Sequence, residues 1–187
     1  MQGERIEVAS STVLVPPDVD RDPAISLGWL ENHQAKFLMQ MMNVEVKSDF
    51  EITLQNEKNR ITHFINRDDQ IVWMIEYEGK IVGSIWADIK TEDHLDPPVV
   101  CLMLGEQQKR NSGIGEQSTT AVLQWCKDQG YSRAYARAVL VSNEAAIKLL
   151  SKMGYEKYGK SRVNHNNEEI QDFVIDLEHF VLEGHDK

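Results

Sequence analysis

The chain has 187 residues, enough for one domain with a sizeable buried core. Hydrophobic residues make up 41% and charged residues 27%, as in ordinary globular proteins, and no apolar run is long enough to span a membrane. A formal net charge of −10 argues against nucleic acid, which needs clustered Lys and Arg, and suits a cationic partner such as an amine, polyamine, aminoglycoside or basic peptide.

In chain order, Met1 to Arg5 is polar and lacks the apolar core of a secretory signal. "STVLVPPDV" alternates and is stopped by Pro16 and Pro17, which predicts a first strand over Thr12–Val15. Ile25, Trp29, Phe37, Met41 and Met42 recur at spacings that predict one or two short helices, with a break near Asn32–His33. Leu54, Ile61, Phe64 and Ile65 mark another amphipathic helix. "QIVWMIEY", a turn at "EGK" and "IVGSIWADI" read as a hairpin. "PPVVCLML" has the continuous apolar character of a strand buried on both faces.

A turn rich in glycine follows, "QQKRNSGIGEQ", and then a helical stripe of Ile114, Ala121, Val122, Trp125 and Cys126 that ends at Gly130. "SRAYARAVL" is a strand, and "SNEAAIKLLSKMG" a helix entered at Ser142 or Asn143 and closed by Gly154. "YEKYGKSRV", a polar turn and "IQDFVIDL" finish as an antiparallel pair. This order predicts an α/β sandwich with a mostly antiparallel sheet, in a single domain over residues 1–187. Cys101 and Cys126 both lie in apolar patterns, as buried free thiols of a cytoplasmic protein would.

The glycine turn joins a strand to a helix N-terminus, where backbone amides lack partners and the macrodipole adds positive charge. Gly113 and Gly115 let that backbone approach an anion closely, and Arg110 adds a charged donor. Neither familiar nucleotide motif fits: Ser118 stands where a dinucleotide fingerprint has its third glycine, and no Gly-Lys-Ser/Thr occurs here. No HExxH sequence or zinc-spaced cysteine pair is present, so no metal site is expected.

Arg110-x-x-Gly113-x-Gly115 resembles the Q/R-x-x-G-x-G/A motif of the GNAT superfamily, the acetyl-CoA-dependent N-acetyltransferases. "NEAAIKLLSKMGY", opening 28 residues after Gly115, is similar to that family's second motif, with Asn143, Ala146, Ile147, Gly154 and Tyr155 in the matching places. The terminal hairpin with Asp172 also looks like the family's close. The resemblance implies a GNAT-like sandwich, a sheet of about seven strands with helices on both faces and a splay between two central parallel strands. It implies acetyl-CoA as co-substrate, its diphosphate held by the amides of Asn111, Ser112, Gly113, Ile114 and Gly115 with Arg110 and Asn143 nearby. The pantetheine arm would lie along Cys101–Leu104, Met103 and Leu104 included.

The chain departs from the family where many members have a tyrosine that protonates the leaving thiolate: seven residues after Asn143 stands Leu150. The subgroup resembling ribosomal-protein N-terminal acetyltransferases often has leucine there too. A neutral amine must attack, so a carboxylate or imidazole must take its proton. Asp88, Glu92, Asp93, His94 and Asp96 cluster in the loop that would border the acetyl group. His94 and Asp96 are the candidates for this step and Ser142 a candidate proton donor, with a plain helix cap the alternative for Ser142. The acceptor implied is a peptide or protein N-terminus or a small amine, the alternatives being an aminoglycoside-type acetyltransferase or a non-catalytic acyl-CoA-binding module. A monomer or homodimer away from membranes and nucleic acid is expected.

Overall fold

Short periodic segments build the structure, and long-range register assembles them. The computed structural model describes residues 1–9, 11–31, 52–91 and 94–180. Eight strands are β1 (Ile6–Ala9), β2 (Thr12–Val15), β3 (Gln70–Tyr77), β4 (Lys80–Asp88), β5 (Val99–Leu104), β6 (Arg133–Leu140), β7 (Glu156–Val163) and β8 (Glu169–Asp176). Among the described residues four helices are α1 (Asp22–Glu31), α2 (Leu54–Asn66), α3 (Ile114–Asp128) and α4 (Glu144–Lys152). The strands form one sheet in the order β1-β2-β3-β4-β5-β6-β8-β7, antiparallel throughout except for β5 beside β6.

Alternation along the strands sends side chains to two faces, and each face has its own helices. On one, Val15, Met74 and Ile81 pack with Trp29 of α1, and Phe64 of α2 stacks on Trp86 of β4 at 6.1 Å between ring centroids. On the other, Leu14, Trp73, Ile75, Ile85 and Val100 meet Ile114, Val122, Leu123 and Cys126 of α3 and Leu150 of α4. Burying side chains of this size stabilises by about 1.5–3 kcal/mol each, so this second, larger layer dominates the core.

Helix ends follow the local rules. The Asn143 side chain accepts the Ala146 N–H at 3.2 Å and caps α4. At its other end Tyr155 N–H donates to Leu150 O at 3.0 Å and Gly154 N–H to Ser151 O at 3.2 Å. Gly154 sits at φ 84°, the left-handed conformation this cap demands.

Three expectations change. The sheet has eight described strands rather than about seven, because "IEVA" adds β1 at the edge, paired with β2. Only four residues long, β1 gives too short an alternation to stand out in the sequence. The β3–β4 turn tightens onto Glu78 and Gly79, at φ 50° and 74°, and Lys80 already pairs with Tyr77. Strand β5 is fully buried only at Val99 and Val100; Cys101 to Leu104 are half-buried. The helical reading beyond Glu31 falls on residues 32–43, outside those described.

Candidate active site

The half-buried part of β5 is where the sheet opens. Tyr135 N–H of β6 donates to Pro98 O at 3.0 Å, and Val99 opposite Tyr135 is the one paired position of these two strands. From there β5 stays paired with β4 as far as Leu104, while β6 continues against β8 alone. Since Pro98 O points at β6, the two-residue period turns the backbone groups of Val100, Leu102 and Leu104 toward the same side. Beyond Val100 those groups face a gap with no described strand across it.

A bulge steers β6 away. Arg137 and Ala138 together oppose Asp172 on β8, and Ala138 adopts φ 52°, a strained conformation for a residue with a Cβ. Its amide is held by Asp172, whose Oδ1 accepts it at 2.7 Å.

The glycine turn lies past the C-terminal end of β5, at the same end as the gap. Residues Gln107–Lys109 form a 3₁₀ turn, and Asn111 and Gly113 then take left-handed angles, φ 61° and 85°. Gly113 is the N-cap of α3. The first helical hydrogen bond is made by Gln117 N–H to Gly113 O at 3.0 Å. The amides of Ile114, Gly115 and Glu116 therefore have no intrahelical acceptor, the arrangement a bound anion requires. A Cβ at Gly113 would meet only Gln117 Nε2, at 3.9 Å, so the space before the turn is open. Gly115 has a different reason to be glycine. A Cβ there would lie 3.2 Å from Leu102 Cδ2 and 3.7 Å from Leu104 Cδ1 and Leu149 Cδ2, so its absence lets α3 sit close on β5. Arg110 donates through Nη2 to Leu104 O at 3.3 Å, which ties the turn to the strand that precedes it.

On the face that carries α1 and α2, charged groups run across the open sheet. Arg137 of β6 reaches Asp88 of β4, 3.1 Å from Nη2 to Oδ2. Cys101 of β5 feels both: burial pushes its thiol up to about 12, the Asp88 carboxylate adding to the rise and the Arg137 guanidinium opposing it. Asp172 is buried and takes two hydrogen bonds from Arg162 of β7 besides that from Ala138. Burial raises the Asp172 pKa, but the Arg162, Ala138 and His94 hydrogen bonds outweigh it and hold the carboxyl below its usual range.

His94 completes this group, its Nε2 2.7 Å from Asp172 Oδ2. The loop that brings it is anchored by its neighbour Leu95, buried against Val99 and Tyr135 with Cys101, Tyr158 and Val174 packed around them. Thr91 Oγ1 also donates to Leu95 O at 2.5 Å. Asp96 is exposed and lines a separate cleft with Gly130, Ser132, Arg133 and Glu178, at the strand ends opposite the glycine turn. Ser142 is exposed in the turn after β6, and its neighbour Asn143, not Ser142, caps α4. Glu92 and Asp93 are outside the described residues.

Leu150 is buried in the main core. Tyr155 is buried too, and burial drives its pKa upward, so its phenol is a poor proton donor. Met103 packs toward α1 and Leu104 toward α3, leaving their backbone as the part that borders the gap. The sequence reading did not find Arg137 or Arg162, which look like any exposed strand residues. Asp172, "D" within the apolar "IQDFVIDL", is the visible signal that was available: a carboxylate on a buried strand needs partners.

The family model for the Acetyltransferase (GNAT) family matches residues 37–155. The chain belongs to the GNAT family. A mouse protein, N-acetyltransferase 8, is 31% identical over 118 residues, 58% of this chain and 47% of its own. An uncharacterized protein of Methanocaldococcus jannaschii is 29% identical over 102 residues, 54% of this chain and 21% of its own. The match thus spans less than half the length of either relative.

Among solved structures, the microcin C7 self-immunity acetyltransferase MccE, in complex with acetyl-CoA and AMP, superposes with a TM-score of 0.73 at 14% identity over 91% of this chain and 95% of its own. A Salmonella typhimurium acetyltransferase that modifies the N-terminal serine of ribosomal protein L7/L12 gives 0.73 at 14% over 92% and 99%. Both show that this GNAT chain has the expected fold. Among the described residues no group of three or more His, Cys, Asp or Glu is placed to hold a metal ion, and no helix is long and apolar enough to cross a membrane.

Proposed function

We infer that this GNAT chain transfers an acetyl group from acetyl-CoA to a primary amine by direct attack. One observation carries the reading: an edge of β5 at Leu102–Leu104 that no described strand pairs runs toward a helix N-terminus whose first amides have no intrahelical acceptor. The open edge fits the amide groups of a pantetheine arm, and the amides of Ile114, Gly115 and Glu116 fit a diphosphate. Arg110, half-exposed beside the turn, adds positive charge there, and Asn143 holds the start of α4 across the gap.

The acetyl donor supplies the thioester; the protein aligns it with the amine and excludes water. With Leu150 in the core and Tyr155 buried, the departing sulfur takes its proton from water at the cleft mouth. The acceptor is a peptide or protein N-terminus or a small amine, on two grounds: the leucine at position 150 and the fold shared with an enzyme that modifies the N-terminal serine of L7/L12. The acidic balance of −10 favours a cationic acceptor. A screen of amines and N-terminally free peptides with acetyl-CoA, read by mass gain of one acetyl group, tests this. Tight acetyl-CoA binding with no acceptor acetylated would instead identify a non-catalytic acyl-CoA-binding module.

A further inference from the structure

Asp172 joins three things that have no other reason to meet: the strained bulge that turns β6 from β5, the Arg162 guanidinium, and the imidazole of His94. His94 is 78 residues from Asp172 in sequence, and its side chain is 52% exposed, so one edge of the ring faces solvent. An ionised carboxylate only accepts, so Nε2 carries the hydrogen toward Asp172. In the neutral ring the tautomer is thereby fixed, with the lone pair on Nδ1. No partner of Nδ1 is present among the described residues. Asp172 holds the Ala138 amide through one oxygen and His94 through the other, so the ring keeps a constant place relative to the edge of the gap.

We propose that His94 Nδ1 is the proton acceptor for the attacking amine and that Asp172 is its positioning residue. This rests on the acetyltransferase reading above. The ammonium form of the acceptor gives one proton to Nδ1, which exposes the nitrogen lone pair, and His94 later passes that proton to water. The nitrogen bonds to the acetyl carbon, and the carbon–sulfur bond breaks with its electron pair going to sulfur. The second proton leaving nitrogen is balanced by one taken up by sulfur through water, giving amide and free thiol. Asp172 stays ionised throughout; its buried carboxylate stabilises the imidazolium that forms.

The test uses the full chain, acetyl-CoA and the best acceptor from the amine and peptide screen. His94→Ala and His94→Gln are compared with wild type. Glutamine keeps a donor toward Asp172 and so preserves a purely structural role, but it has no basic nitrogen. Both variants are expected to lose kcat by roughly 10²–10⁴-fold, with acetyl-CoA affinity unchanged. Added imidazole should restore part of the rate to His94→Ala. Asp172→Asn should lower kcat without any response to imidazole, since its own ring is still present. Wild-type kcat in His94→Gln, or a loss in His94→Ala that imidazole leaves untouched, overturns the assignment while the transferase reading stands. A wild type inert with every amine removes both.

Discussion

Replacing Gly113 by alanine separates the conformational role of the turn from its proposed role toward a diphosphate. Gly113 sits at φ 85°, where a Cβ costs about 1–2 kcal/mol. The added methyl would meet nothing but Gln117 Nε2 at 3.9 Å, so no steric clash within the protein adds to that strain. In a chain of this size ~1–2 kcal/mol lowers the melting temperature by roughly 2–8 °C. The methyl also projects into the open space before the amides of Ile114 to Glu116. Acetyl-CoA at about 100 times its Kd stabilises the wild type by about 2.7 kcal/mol, whereas a hundredfold weaker variant gains only about 0.4 kcal/mol at the same concentration. Thermal melts of both proteins with and without acetyl-CoA measure the two effects independently. Gly115→Ala is the companion: φ is not left-handed there, and the contact at 3.2 Å is with a flexible Leu102 methyl. Helix propensity gains up to ~1 kcal/mol and offsets that crowding, so its melting temperature should stay near wild type. An unchanged melt for Gly113→Ala refutes the strain argument. A full ligand-induced shift in that variant refutes the amide cradle.

Other outcomes follow from burial and charge. Leu150→Ala should cost about 2–5 kcal/mol in urea unfolding, because Leu150 is core. Leu150→Tyr, which restores the hydroxyl many relatives use, should destabilise without raising turnover, since it overpacks the site and buries an unpaired hydroxyl; a faster stable variant would contradict this. Burial pushes the thiol of Cys126 up to about 12, so it should not react with an aromatic disulfide at pH 8 until the chain unfolds. The Asp69 carboxyl is lowered to about 2, chiefly by the Arg67 hydrogen bond, and Asp172 is lowered as well. Depressed carboxylates contribute stability that is present above their unfolded value near ~4 and lost as pH falls through their folded values. Urea midpoints should therefore fall below about pH 4, and Arg162→Gln, by bringing the folded Asp172 value back toward the unfolded one, should lower stability near neutral pH and shrink the acid loss; an undiminished acid loss would show that Arg162 does not hold Asp172 ionised.

What the sequence determined by itself was local. Period-two and helical patterns located β2 to β8, α1 and the other three helices, since each depends on neighbours within a few residues. Glycines and Asn143 marked the helix ends for the same reason: left-handed angles and cap hydrogen bonds are properties of four or five consecutive residues. The turn at Arg110–Gly115 was legible in the sequence as the lead into a helix N-terminus, although the packing of Gly115 on Leu102 was not. The tertiary structure alone decided that β5 leaves β6 after Val99, because a parallel pair ends where a bulge on the far side of β6 redirects it. It decided that Leu150 is core, since helical spacing gives a stripe but not what covers it. It also drew His94 and Asp172 together and sent Asp96, two residues from His94, to another cleft. Contacts across many tens of residues are set by strand register and by where a buried leucine pins a loop, and neither leaves a spacing in the sequence.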